Sequence, residues 1–462
     1  MEEIRCSGIW WLPSAPETHV YGEFTFSNRE GLHLSSIGTF EDTFRTAVGR
    51  SYPVILGATS DGKRITLCDC MVVGHTGTGA GVETQRYSVD MALIGAHIDD
   101  PQEMRFHRVS MQYSHLADWF CPSGFRPRSI EAEDASRRYE LSYELPERIV
   151  AATTKGRMTV WGSVKTAFSV REASLQQSVW ITFEIPGKQR FEDLNSQLIH
   201  PLRNLVTLAT DRPNSITQVF VFSKRHAHTS PIPSDIVELP IEVLFRTSYD
   251  EMTQTRALTP GEMLFSFEDV ESDFEQLVQR WLVAAEELDS VCDLFFSNQY
   301  NPGMYLENKF LNLAQAAESY HRRRRCNQSR PAQEHERRLE AVFGACPAKH
   351  KKWLEWQLKY SNEPSFKERL LDLIDVTGET MLPLVQDAES FACDVRDSRN
   401  YYVHYDSSLR QQAAQGEKLY RLTERLAFLM RACLLCELGF TPQRCAKLFN
   451  NNQRYQYAVG RK

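Results

Sequence analysis

Up to Lys224 the chain alternates apolar and polar positions over short stretches, as in Tyr21-Gly-Glu-Phe-Thr-Phe26, and interrupts them with glycine, serine and threonine. A period of two places one set of side chains on one face of a strand, so this part is expected to be β-rich. Strands are expected at Pro53–Leu56, Arg64–Val73, Tyr87–Ile94, Met104–Gln112, Arg157–Ser163 and Val179–Ile185, with Ser60-Asp-Gly62 as a hairpin turn. A sandwich and an irregular β domain both fit this pattern. One helix interrupts it, because Leu194, Leu198, Leu202 and Leu205 recur at helical spacing within Phe191–Ala209, a stripe suited to packing across a sheet.

The pattern changes between Arg225 and Glu262, where Pro231-Ile-Pro-Ser-Asp235 and Thr259-Pro-Gly261 favour loops. The domain boundary is expected there, dividing the chain into 1–260 and 261–462. Beyond it the period becomes 3.6. Phe274, Leu277, Val278, Trp281, Ala285, Leu288, Cys292 and Phe295 share one helical face, and Pro302-Gly303 ends that segment. Further helices are expected at Met304–Arg323, Ala332–Phe343, Lys349–Tyr360, Ser365–Leu382, Asp387–Arg396 and Gly416–Leu438. The last carries a stripe of Leu419, Leu422, Leu426, Leu429, Met430 and Cys433, with Gly439 as its C-cap. The expected class is therefore α+β, a β-rich N-terminal domain followed by an all-α helical bundle.

Composition narrows the functional classes. Hydrophobic residues make up 42% and charged residues 24% of 462, which suits a folded globular protein. A net charge of -7 supplies no global attraction for nucleic acid, so contact with RNA requires a local basic patch. No apolar run approaches the roughly 20 residues of a membrane span, and Met1–Pro13 lacks the apolar core of a secretory signal. Eleven cysteines without a tight framework read as reduced thiols, which places the chain in a cytoplasm with no membrane attachment.

The stretch Asp394-Val-Arg-Asp-Ser-Arg-Asn-Tyr-Tyr-Val-His-Tyr-Asp406 lies between two helical patterns and carries Arg399, Asn400 and, four residues beyond Asn400, His404. A guanidinium grips phosphate through a bidentate fork, and an imidazole exchanges a proton near neutral pH. RNA brings its own nucleophile, the 2′-hydroxyl, so a base, an acid and a cation on the phosphate suffice to cut it without a metal or other cofactor. An Arg-x4-His string alone also fits surface or packing residues of a bundle.

Its context adds a resemblance. With the aromatic flanks Tyr401, Tyr402 and Tyr405, the motif near the end of a helical domain resembles the HEPN superfamily of ribonucleases. More narrowly, Arg399–Asp406 and Glu318-Ser-Tyr-His-Arg322 are similar to the HEPN domain of ApeA-type anti-phage proteins. Gly8-Ile-Trp-Trp-Leu-Pro13, Gly22-Glu-Phe-Thr-Phe26 and Thr66-Leu-Cys-Asp-Cys70 resemble the β-rich domain joined to it. The resemblance implies an endoribonuclease of anti-phage defence that acts as a homodimer through its HEPN domain. Two copies each of Arg399 and His404 would then form one site, with Asn400 fixing orientation and Glu318 and His321 in support. It implies cellular RNA as target, tRNA among the candidates, a phage-encoded trigger, and an N-terminal domain that senses and restrains. A non-catalytic RNA- or protein-binding HEPN module is the alternative, and a toxin held by a separate antitoxin is a third.

Other features carry two readings each. Arg322, Arg323, Arg324 and Arg325 form a cationic cluster that fits RNA binding or a solvated helix C-terminus. Glu318 and Arg322 have the spacing of an intrahelical ion pair. The tail with Arg444, Lys447, Arg454, Arg461 and Lys462 reads as a mobile terminus more readily than as an RNA contact. Cys68, Cys70 and His75, like Cys433, Cys436 and Cys445, contain zinc-type ligands at poor spacing, so the cysteines are expected in cores and no metal is expected. Gly74-His-Thr-Gly-Thr-Gly-Ala-Gly81 lacks the Lys-Ser/Thr ending of a phosphate loop and reads as a flexible loop. Trp10 and Trp11 suit a β core or base stacking.

Overall fold

A computed structural model describes residues 1–40, 48–76, 82–120, 123–131, 137–224, 227–229, 236–247 and 256–460. The proline-rich segment at 231–235 and most of the glycine-rich loop, 77–81, lie outside them, as do Arg461 and Lys462. The chain divides into two compact units, Met1–Leu282 and Val283–Lys462. The Thr259–Glu262 segment expected at a boundary forms a 3-10 turn in the first unit, closed by a capping box between Thr259 and Glu262.

The first unit is built on an antiparallel sheet. Six strands close into a ring: Arg64–Thr76 pairs with Ser51–Thr59, which is followed in turn by Ile4–Leu12, Ala15–Ser27, Gly31–Ile37 and Thr84–Val89, and the last returns to Arg64–Thr76. Closure removes the sheet edges and encloses a core that includes Trp10, Phe24, Phe26, Leu34, Ile55, Leu67 and Tyr87. Trp10 fills this core, and its indole N–H donates to the Gly22 carbonyl at 3.2 Å. Gly57 lies against the ring, where a Cβ would come within 2.2 Å of it.

One strand serves both the ring and the open part of the sheet. Ile65–Cys68 pairs with Met91–Ile94, whereas Met71–Thr76 pairs with Thr84–Val89. Asp69, at φ 50°, makes the change of partner between them. The single strand expected at Tyr87–Ile94 is consequently two, separated at Asp90. Beyond Met91–Ile94 the open sheet continues through Ile241–Phe245, Ile216–Phe222, Arg105–Tyr113, Ala173–Arg190, Gly156–Phe168 and Ile149–Thr153. Ser60-Asp-Gly62 is the expected hairpin turn, with Gly62 at φ 82°. Besides the start of a fourth helix, this unit holds α1 (Leu116–Phe120), α2 (Phe191–Leu194) and α3 (His200–Thr210). A π turn at Asn195–Ile199 joins α2 and α3, at the place where Pro201 has no N–H to give residue 197.

The division falls within α4 (Phe274–Glu287). The second unit continues with α5 (Asp289–Tyr300), α6 (Leu306–Arg324), α7 (Ala332–Ala345), α8 (Lys351–Leu358) and α9 (Phe366–Thr377). It ends with α10 (Leu382–Val385), α11 (Ala388–His404), α12 (Gly416–Glu437), α13 (Pro442–Asn451) and α14 (Gln453–Gly460). The stripe of α12 is buried as expected and packs on α6, which also packs on α5; α9 packs on α11. Three expectations change. Leu288, at φ -113° and ψ 28°, breaks the first long helix into α4 and α5. Gly378 at φ 40° stops α9 before the expected Leu382. The tail is folded as far as Gly460: Phe449 and Tyr455 pack on Phe428, and Arg454 pairs with Glu424 at 2.8 Å. No helix among the described residues is long and apolar enough to cross a membrane.

Candidate active site

The motif expected between helices lies inside one. Asp387 caps α11 by accepting from the N–H groups of Glu389 and Ser390, at 3.0 and 3.2 Å. The helix then runs past Arg396 to His404, because its buried face continues through Phe391, Ala392, Val395, Ser398 and Tyr402. Two of these are polar and both hold Ala414. Its N–H donates to Ser398 Oγ at 2.9 Å, and its carbonyl accepts from the Tyr402 hydroxyl at 2.8 Å. The loop after the helix is thereby pinned against it. Tyr405 ends α11 in the left-handed region, at φ 51°.

This anchoring turns the other side of α11 outward. Arg399 and Asn400 are partly exposed, and Val403 and His404 are exposed. Asn400 and His404 are one turn apart on the same face. The His404 imidazole has no hydrogen bond or ion pair among the described residues. Arg399 is held from two sides. Its Nη2 lies 3.3 Å from Glu318 Oε2, and its guanidinium carbon sits 5.5 Å from the centre of the Phe366 ring. Its Nη1 reaches Asn400 Oδ1 at 3.4 Å.

Behind Arg399 a chain of alternating charges joins α6, α9 and α11. Glu318 Oε1 meets Arg322 at 3.4 Å, and Arg322 reaches Glu363 at 2.6 Å. Glu363 also takes Arg369 at 3.1 Å. Arg369, with its side chain only 1% exposed, donates from Nη1 to His321 Nδ1 at 3.0 Å. Arginine has only donors, so Nδ1 must accept and the ring proton sits on Nε2, facing Asp372 Oδ2 at 3.3 Å. Asp372 in turn holds Arg325 at 2.7 and 3.0 Å. Burial, and then the neighbouring Arg369, lowers the pKa of His321 below its ordinary value, which fits a neutral imidazole.

Two family models match the chain. One described as ApeA N-terminal domain 1 covers residues 5–281, and one described as Apea-like HEPN covers residues 311–444, from within α6 to within α13. The chain belongs to the ApeA-type HEPN proteins. No curated protein and no solved structure matches it. Membership places this ApeA-type chain with the HEPN nucleases of anti-phage defence, a family whose domains are generally ribonucleases.

In this ApeA-type HEPN unit the structure gathers Arg399, Asn400, Glu318 and Arg322 at one place and puts His321 behind them. Arg323 and Arg324 turn away. Arg323 pairs with Asp289 at 2.9 Å, and Arg324 bridges Glu287 and Glu437 at 2.8 and 3.0 Å. Each of the four clustered arginines thus faces a carboxylate. Glu363, Arg369, Asp372 and Phe366 were not singled out from the sequence. Arg369 left a signal, since Phe366, Arg369, Leu370 and Leu373 form the stripe of α9 with a cation inside it.

Of the described cysteines, Cys68, Cys70, Cys292, Cys433 and Cys445 are buried, Cys326 is exposed and the others are half-buried. Cys70 belongs to the ring interior, while Cys68 contacts the Met104 sulfur at 3.5 Å, and burial raises both thiol pKa values. Cys433 and Cys445 are buried and Cys436 is half-buried. Among the described residues no three His, Cys, Asp or Glu side chains gather as a metal site.

Proposed function

We propose that this chain is a metal-independent endoribonuclease of anti-phage defence whose site centres on Arg399, Asn400 and His404. The observation that carries the reading is that Asn400 and the exposed His404 share one face of α11 next to Arg399, which Glu318 and Phe366 orient, while the imidazole of His404 has no hydrogen bond or ion pair among the described residues. In the reaction the 2′-oxygen attacks the adjacent phosphorus and the bond to the 5′-oxygen breaks. A base removes the 2′-hydroxyl proton, an acid protonates the departing 5′-oxygen, and a guanidinium balances charge on the phosphorane. Asn400 orients the phosphate beside Arg399.

One α11 supplies one imidazole, and this reaction uses two proton-transfer groups. A homodimer that apposes two copies of α11 supplies the second, and the exposed Val403 beside His404 is an apolar position such a contact covers. Cellular RNA, tRNA included, is the proposed substrate class. The N-terminal unit is proposed as the sensor of a phage-encoded trigger and the restraint on cleavage, since an unrestrained ribonuclease harms its host.

The test is incubation of the purified protein with total RNA in excess EDTA, followed by end-group mapping. Cleavage leaving 2′,3′-cyclic phosphate and 5′-hydroxyl ends is expected. Arg399→Ala and His404→Ala should each lower the rate by roughly 10²–10⁴-fold while folding and dimerisation persist. The rate should fall on both sides of an optimum pH, because one imidazole must be neutral and the other protonated. Normal cleavage by either variant, or RNA bound but left intact by the wild type, overturns the reading.

A further inference from the structure

The segment between α6 and α9 is a helical hairpin that hides almost nothing. Neither α7, α8 nor the 3-10 turn Ala348–His350 between them contains a buried residue. Its two ends are clasped. Asn362 Oδ1 accepts from the Arg330 N–H at 3.1 Å, its Nδ2 donates to the Arg330 carbonyl at 3.1 Å, and its own carbonyl accepts from the Ser329 N–H at 2.7 Å. The next residue, Glu363, is the carboxylate that holds Arg322 and Arg369. The hairpin therefore rises directly from the charge chain behind Arg399.

Three large aromatics stand out on it at spacings of three and four. Trp353 is 62% exposed, Trp356 73% and Tyr360 63%. Trp356 also lines a groove with Leu339, Phe343 and Leu358. Around these rings the charge is positive. From Arg330 to Tyr360 there are seven Lys or Arg against four Glu, a balance of +3 in a chain whose net charge is -7. Arg337, Arg338, Lys349, Lys351 and Lys352 have no carboxylate partner among the described residues. Arg322–Arg325, the denser cluster in sequence, each face at least one carboxylate.

We infer that the α7–α8 hairpin is the RNA-docking arm of this protein and that it takes an unpaired stretch of RNA, bases on Trp353, Trp356 and Tyr360 and phosphates on the unpartnered cations. Stacking needs bases free of a duplex, and the faces of exposed indoles suit any base. The net positive charge around these exposed rings complements the phosphates of a polyanion. The inference rests on RNA being the substrate of the α11 site, and it supplies that site with a way to hold the strand beside it.

The experiment uses full-length His404→Ala protein, so that bound RNA is not cut, and measures the affinity of a fluorescent single-stranded oligouridylate and of an RNA duplex of equal length. Trp353→Ala with Trp356→Ala should weaken single-strand binding about tenfold or more, and the double Phe replacement should restore most of it. Lys351→Gln with Lys352→Gln should lower the slope of log affinity against log salt by about 1.4, as two fewer phosphates are neutralised. Unchanged single-strand affinity in both variants overturns the inference. So does a Trp variant that changes oligomeric state while binding RNA normally, for the face would then be a protein interface. Cleavage of RNA by the wild type, scored separately by its end groups, decides the nuclease reading whichever way the hairpin result falls.

Discussion

Arg399 on α11 and Glu318 on α6 meet at 3.3 Å, and the second oxygen of the same carboxylate reaches Arg322 at 3.4 Å. One acid thus orients the guanidinium proposed to bind phosphate while adding negative charge next to that phosphate. The two effects act on different kinetic constants. Glu318→Gln should lower kcat about tenfold, since a charge-assisted bond that fixes Arg399 is lost, and should lower KM for RNA as repulsion is removed. Steady-state kinetics on a defined oligoribonucleotide separate the two. An unchanged kcat would show that Glu318 does not position Arg399.

Arg369 carries the greater structural weight. Its buried guanidinium bonds to His321 and Glu363, so Arg369→Ala strands His321 Nδ1 and leaves Glu363 to Arg322 alone. Removing one partner of a buried ionic group destabilises by about 3 kcal/mol. Urea unfolding followed by circular dichroism should show that loss in the helical transition. A loss under about 1 kcal/mol would mean that the network is decoration on a core stable without it.

These two positions mark the limit of what the sequence discloses. Helices and strands with regular apolar periods are legible, and so is the motif at Arg399, through its resemblance. The continuation of α11 to His404 is not. Its buried face there is carried by Ser398 and Tyr402, polar residues that count as inward only once Ala414 is seen to satisfy them. The ring of the first unit is hidden for a related reason. A change of strand partner at Asp69 depends on a positive φ at a non-glycine residue, which alternation does not encode. Nor could the four arginines at 322–325 be told from the unpartnered cations at 349–352 before the acids facing them were placed in space.

Acid should weaken the fold through two histidines. His321 has its pKa lowered from 6.5 by burial and by Arg369, with Asp372 opposing, and burial with Arg203 lowers that of His200 to about 4. A lowered folded pKa means that the unfolded chain binds more protons between that value and 6.5, so unfolding is favoured as pH falls. The stabilisation is complete above about pH 6.5 and is lost as pH drops through each folded value. Melting midpoints taken from pH 7.5 to 5 should decline, and His321→Gln, which keeps an acceptor and a donor without titrating, should flatten the decline of the helical transition. A slope identical to wild type would remove His321 as its source. His200→Asn should act on the other unit alone.

Tyr405 combines strain with exposure next to His404. It sits at φ 51°, closes α11 through its N–H to the Tyr401 carbonyl at 2.6 Å, and is 63% exposed. A side chain in the left-handed region costs about 1 kcal/mol relative to glycine, and its rings contacts, 5.6 Å to Tyr401 and 6.1 Å to Tyr402 between centres, recover only part of this at an exposed position. Tyr405→Gly should therefore raise stability by roughly 0.5 kcal/mol, as glycine does at a helix C-cap. It should also slow RNA cleavage, because strain retained beside a site is retained for the side chain that causes it. Melting and cleavage measured on the same preparation test both halves. A variant less stable than wild type would show that the tyrosine cluster holds the helix end, and a more stable variant with full activity would show that the exposed ring has no part in handling RNA.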